Sequence, residues 1–110
     1  MIKEPLALQP AVALFRSLAD PTRLAIVRRL ARGEARVADL MRELELPQST
    51  VSTHVACLRD CQLVSGRVEA RQVFYSLNHP ELIDLLGSAE ALLDATGSAV
   101  ALCPRWGDTA

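Results

Sequence analysis

Cys57, Cys61 and Cys103 are the only thiols in the sequence, and the first two stand four positions apart in Cys57-Leu58-Arg59-Asp60-Cys61. On an α-helix this spacing puts both on one face, with their Cβ atoms about 5–6 Å apart. Two thiolates so placed can hold one metal ion, with bonds of about 2.3 Å for zinc and longer for larger ions. A third soft ligand would complete the set, and Cys103 is the remaining cysteine. Three sulfurs favour thiophilic ions over hard ones. The expected ligands are therefore Cd(II) or Pb(II), with Zn(II) and As(III) as further ions that thiolates bind. Cysteine also serves as a small core residue. Here, however, Val55 and Leu58 mark the inward face, and Cys57 is rotated about 100° from Leu58. Redox chemistry is the other use of such a pair, although Cys-x-x-x-Cys lacks the usual Cys-x-x-Cys spacing.

The residues just before these cysteines suit a different task. Gln48, Ser49, Thr50, Ser52, Thr53 and His54 are short or polar and interrupt the apolar positions Val51, Val55 and Leu58. Short side chains let a helix sink into a DNA major groove about 12 Å wide, where donors and acceptors meet base edges and phosphates. Gln48 carries the amide that pairs with adenine. Ser49, Thr50 and the N–H groups of the helix start suit phosphates. Arg67, Arg71 and Gln72 follow on a candidate hairpin, from which they can reach an adjoining groove or the backbone. Ser and Thr capping a solvated helix would account for the first set alone. Reading helix followed by arginine-bearing hairpin points instead to DNA. His54 is expected to face DNA or solvent rather than a metal, and Trp106 to anchor the tail by packing. No glycine-rich phosphate loop and no Ser/His/Asp arrangement is present, so an enzyme is not expected.

Five helices and a hairpin would position these residues. Apolar residues at 8, 11, 12, 14, 15 and 18 have helical spacing. Asp20-Pro21 then starts a second helix, with Asp20 as cap and Pro21 at the first helical position, and Gly33 stops it. A short helix over about 37–45 and a longer one over about 48–61 flank Leu46-Pro47, where proline disfavours helix at the preceding residue. Two short helices around a tight turn form the helix-turn-helix pattern. Leu63-Val64 and Val73–Leu77 read as strands with residues 66–72 between them, and Ala70 stands where glycine would turn more easily. A last helix from Pro80 carries Leu82, Ile83, Leu85, Leu86, Ala89, Leu92 and Leu93. That stripe is wide for the end of so small a domain and suits a dimer seam. The expected architecture is mainly α, a homodimeric winged helix-turn-helix over residues 1–97, with a tail over 98–110 carrying Cys103.

Length and charge agree with this reading without compelling it. At 110 residues and 50% hydrophobic content there is room for one modest core. The net charge of −1 does not advertise a nucleic-acid partner, but eleven of the twelve basic residues are arginine. Arginine's planar fork of donors suits phosphates and guanine edges. Several acids (Glu81, Asp84, Glu90, Asp94) lie in the last third, which would leave a basic face elsewhere. No apolar run of membrane-spanning length and no apolar signal core at the start are present, so a cytoplasmic protein is expected.

Three stretches, LADPTRLAIVRRL, VADLMRELELPQSTVSTHVACLRDCQLV and GRVEARQVFYSL, resemble the ArsR/SmtB family of metal-sensing repressors. The likeness covers roughly residues 10–96. It implies a winged-helix homodimer, paired through its first and last helices, that leaves operator DNA when metal binds. Family DNA contacts fall on Gln48, Ser49, Thr50, Ser52, Thr53 and His54, with Arg67 and Arg71 in the wing. The family's cysteine site before the turn is absent, since this chain reads Glu34-Ala35-Arg36-Val37-Ala38-Asp39-Leu40 there. Its last-helix Asp/His zinc site is absent too, with His79 the only histidine nearby. Instead, ACLRDCQLV resembles the CmtR-type cadmium/lead-sensing branch, which uses Cys-x-x-x-Cys in the recognition helix plus a C-terminal cysteine.

Overall fold

The computed structural model describes residues 3–97, 99 and 100, with side chains from residue 7 onward. Its elements run α1 (Lys3–Leu18), α2 (Pro21–Leu30), α3 (Val37–Leu44), α4 (Gln48–Asp60), β1 (Val64–Glu69), β2 (Gln72–Leu77) and α5 (Pro80–Ala95). They fall into two compact units, one ending at Asn78 and one beginning at His79. No helix among the described residues is long and apolar enough to cross a membrane.

The helix signals act as their chemistry dictates. Asp20 caps α2, its Oδ2 accepting the Arg23 N–H at 2.9 Å, and Pro21 follows at the first helical position. After α2, Gly33 takes φ +142°, a conformation that favours glycine, and donates its N–H to the Leu30 carbonyl. Helix α1 begins earlier than the apolar spacing suggested and runs through Pro10. Proline there removes a single hydrogen bond, and apolar periodicity alone does not register the first turn.

The first unit closes around Ile26, Val27 and Leu30 of α2, Leu40 of α3, Val51, Val55 and Leu58 of α4, and Val64 of β1, all buried. Each such side chain is stabilised by about 1.5–3 kcal/mol on leaving water. Helix α2 packs on α1, α3, α4 and β2, so it is the centrepiece on which the other helices of the unit lean. In α4 the buried stripe is Val51, Val55 and Leu58, which turns the remaining faces outward.

β1 and β2 pair antiparallel, Val64 opposite Leu77 through Glu69 opposite Gln72. The strands are longer than the apolar runs alone indicated, and only Ala70 and Arg71 form the turn. Both have positive φ, 52° and 68°, as a two-residue turn of the I′ kind requires. A third segment joins the hairpin: Ala35, between α2 and α3, exchanges two backbone hydrogen bonds with Tyr75, at 2.9 and 2.8 Å. Gly66 is required for packing, because a Cβ there would lie 2.8 Å from Val73 Cγ1 and 3.0 Å from the Tyr75 ring.

In the second unit, α5 starts at Pro80 with Glu81 in its first turn. Leu82 is buried, whereas Ile83, Leu92 and Leu93 are exposed.

Candidate functional site

Two helices and a tight turn present α4. The α3 C-cap, Glu45, adopts the left-handed conformation (φ 57°), which redirects the chain into Leu46-Pro47. Pro47 precedes α4 in extended conformation and supplies no side-chain cap. Gln48, Ser49, Ser52 and Thr53 are exposed, while Thr50 and His54 are half-buried. The six polar residues singled out from the sequence thus lie together on one helix, four of them fully presented.

His54 faces inward from this row. Its Nδ1 lies 3.5 Å from Arg23 Nη1, and its Nε2 lies 3.9 Å from Asp20 Oδ2. Arg23 also donates to the Ser17 carbonyl through Nε (2.7 Å) and to the Arg16 carbonyl through Nη2 (3.3 Å). It therefore closes the C-terminus of α1 while touching α4. Asp20, bonded to the Arg23 backbone N–H and close to His54 and Arg23, titrates below the ordinary carboxylate range. The sequence marked Arg23 only as part of the LADPTR stretch.

The hairpin residues diverge in their surroundings. Arg67 donates to both carboxylate oxygens of Glu34, contacts Glu69, and lies over the Phe74 ring. Gln72 accepts from Arg36 Nη1 at 3.1 Å. Arg71, in the turn, is exposed and has no ion pair among the described residues. Glu34 was not legible as a partner of the hairpin, since it is separated by 33 positions from Arg67.

Acidic residues intrude on the expected basic face. Arg29 is paired with Glu43 at 2.6 Å, with Arg32 and Arg42 also near that carboxylate. Arg36 binds Asp39 through its side chain at 2.9 Å, and its backbone N–H is capped by Asp39 at 3.0 Å. Those contacts hold the Asp39 carboxyl well below its ordinary range and push Arg36 up. The gathering of acids in the last third was thus an incomplete guide: Glu34, Asp39, Glu43 and Glu69 neutralise arginines within the first unit.

Cys57 and Cys61 are both exposed, as their rotation away from Leu58 required. Cys57 lies in the last turns of α4. Cys61 is its C-cap, the Cys61 N–H donating to the Cys57 carbonyl at 3.2 Å. Gln62 then takes φ 62° and Leu63 N–H bonds back to the Leu58 carbonyl, which finishes the helix in a Schellman turn. Among the described residues no three His, Cys, Asp or Glu side chains cluster as a metal site. Cys103 lies outside the described residues. The two exposed thiols stand four positions apart at the end of α4, and thiolates are ligands that suit soft metal ions.

A helix-turn-helix that exposes a polar second helix, followed by an antiparallel hairpin, defines a winged helix-turn-helix DNA-binding regulator. Residues 20–65 match the family model described as bacterial regulatory protein, arsR family. The chain is 37% identical over 91 residues to a probable mercury resistance operon repressor of Streptomyces lividans, a match covering 83% of this chain and 73% of that one. It belongs to the ArsR family, whose members are transcriptional regulators. Among solved structures, reduced HlyU from Vibrio cholerae superposes with a TM-score of 0.74 at 35% identity, covering 84% of this chain and 97% of HlyU. The cadmium metal-sensor CmtR from Mycobacterium tuberculosis superposes at 0.60 with 44% identity, covering 68% and 78%.

Proposed function

We propose that the chain is a cytoplasmic, metal-responsive repressor that binds operator DNA as a homodimer and leaves it when a thiophilic ion binds. The inducer is Cd(II) or Pb(II), held by Cys57, Cys61 and Cys103. One observation carries this reading: Cys57 and Cys61 are exposed one turn apart on the same helix whose opening residues form the polar face. Gln48, Ser49, Ser52 and Thr53 meet the major groove, with Thr50 and His54 at the edge of that contact. The hairpin that carries Arg67, Arg71 and Gln72 meets the adjoining groove or backbone. The first N–H groups of α4, which have no side-chain cap, add phosphate contacts.

Dimerisation through α1 and α5 is supported by what each helix leaves uncovered. Leu8, Val12 and Phe15 are exposed along α1, and Ile83, Leu92 and Leu93 along α5. Large apolar side chains left uncovered on each helix are what a second copy would cover.

Metal binding acts on DNA only if the ion prefers the free form, and a preference of about 1–3 kcal/mol is typical of such coupling. Tying the end of α4 to Cys103 changes the orientation of the helix or the spacing of the two reading heads. Redox or arsenite sensing by the same thiols is the second reading, favoured by their exposure. Absorbance titration separates these. Cd(II) or Pb(II) should raise a thiolate-to-metal charge-transfer band and release promoter DNA. A release produced by oxidant, with thiols lost and no response to any metal, would overturn the metal reading.

A further inference from the structure

Arg67 is the most heavily engaged side chain of the hairpin. Its Nε and Nη2 donate to the two oxygens of Glu34 at 3.1 and 2.6 Å, and its Nη1 donates to Glu69. Its guanidinium carbon stands 4.9 Å from the centre of the Phe74 ring, on the residue directly opposite in register. Glu34 is fixed in turn, because its neighbour Ala35 is bonded to Tyr75 through both backbone groups. Arg36 extends the same connection, bonded to Asp39 at the start of α3 and to Gln72 at the start of β2.

Two consequences follow from charge and geometry. One positive guanidinium facing two carboxylates presents no net positive charge to a phosphate. Reaching DNA would also mean giving up a two-pronged carboxylate pair and the ring contact. Arg71 has neither restraint: it sits in the turn, exposed and without an ion pair among the described residues.

We infer that Arg67 is a positioning residue that clasps the hairpin to the α2–α3 segment through Glu34, leaving the hairpin's phosphate contact to Arg71. This rests on the DNA-binding reading above and divides the labour within it. The clasp is formed before DNA arrives, so the wing does not have to be ordered on binding.

The test is the salt dependence of binding to duplex DNA from upstream of the protein's own gene. Each phosphate contact contributes about one to the slope of log affinity against log salt. Arg71→Ala should lower that slope by about one. Arg67→Met and Glu34→Gln should leave the slope as in the parent protein. Each should weaken binding by roughly two- to fivefold, the range that an exposed ion pair can supply, and the double variant should weaken it no further. The clasp is overturned if Arg67→Met lowers the slope by about one, if Glu34→Gln tightens binding, or if neither weakens it. Glu34→Gln keeps the test available should Arg67→Met not fold. Absence of any salt-dependent binding by the parent protein would instead sink the DNA-binding reading, and the clasp's role with it.

Discussion

Arg23 and His54 meet across α2 and α4, guanidinium Nη1 lying 3.5 Å from imidazole Nδ1. A guanidinium only donates, so a hydrogen bond across this gap has Nδ1 as its acceptor, while Nε2 lies on the side of Asp20, 3.9 Å from its Oδ2. The same arginine holds two carbonyls at the end of α1. One side chain thus ties the end of α1 to α4, while the backbone N–H of the same residue holds the Asp20 cap. Replacing Arg23 by Met should destabilise the fold by about 1–3 kcal/mol, since it leaves those groups without their charged donor. Chemical denaturation measures this, and a loss no larger than an ordinary surface change would contradict the role.

Acid should loosen the fold by way of its paired carboxylates. Glu34 is held down by Arg67, Asp39 by Arg36, Glu43 by Arg29 and Asp20 by the Arg23 backbone N–H, each below its ordinary value of 3.8 or 4.5. A carboxyl depressed in the folded state contributes stability that is complete above its ordinary value and is lost as pH falls through the lower folded value. Melting temperature should therefore hold steady down to the ordinary carboxylate range and then decline. Replacing Asp39 by Asn should flatten that decline; an unchanged acid limb would contradict its assignment.

The hairpin turn offers a stabilising substitution. Ala70 occupies left-handed backbone at φ 52°, which costs an ordinary side chain about 1–2 kcal/mol, and asparagine tolerates that conformation better. Ala70→Asn should raise stability by roughly 0.5–1 kcal/mol without touching Arg71. Gly66→Ala should lower it by roughly 1–3 kcal/mol, because its methyl collides with Val73 and Tyr75. Denaturation midpoints that move the other way would contradict the turn and the packing.

Much of this was legible in the residues. Asp20-Pro21, Leu46-Pro47 and the inward line Val51, Val55 and Leu58 fixed α2, the turn and the orientation of α4, because caps and apolar periodicity act locally. The same periodicity turned Cys57 and Cys61 outward. What was not legible depends on distant pairs. Glu34 meeting Arg67, Ala35 joining Tyr75 and Arg23 touching His54 are contacts across 31 to 40 positions, and no local pattern encodes them. For the same reason the arginines looked more available to DNA than their neighbouring carboxylates leave them.

The thiols should separate by function. Cys57→Ser or Cys61→Ser should weaken the charge-transfer band with Cd(II) and blunt the release of DNA, whereas Cys103→Ser should weaken the metal response and spare DNA binding by the metal-free protein. Absorbance and mobility-shift titrations report the two properties independently. Equal loss of both in Cys103→Ser would count against its role as a ligand.

The most direct measurement is fluorescence anisotropy of a labelled duplex from upstream of the protein's own gene, bound by the protein and then titrated with Cd(II). The expected result is saturable binding that collapses as Cd(II) is added and survives the same titration in the Cys57→Ser, Cys61→Ser double variant. DNA affinity unchanged at saturating Cd(II) and Pb(II) would contradict the proposed sensing of these ions.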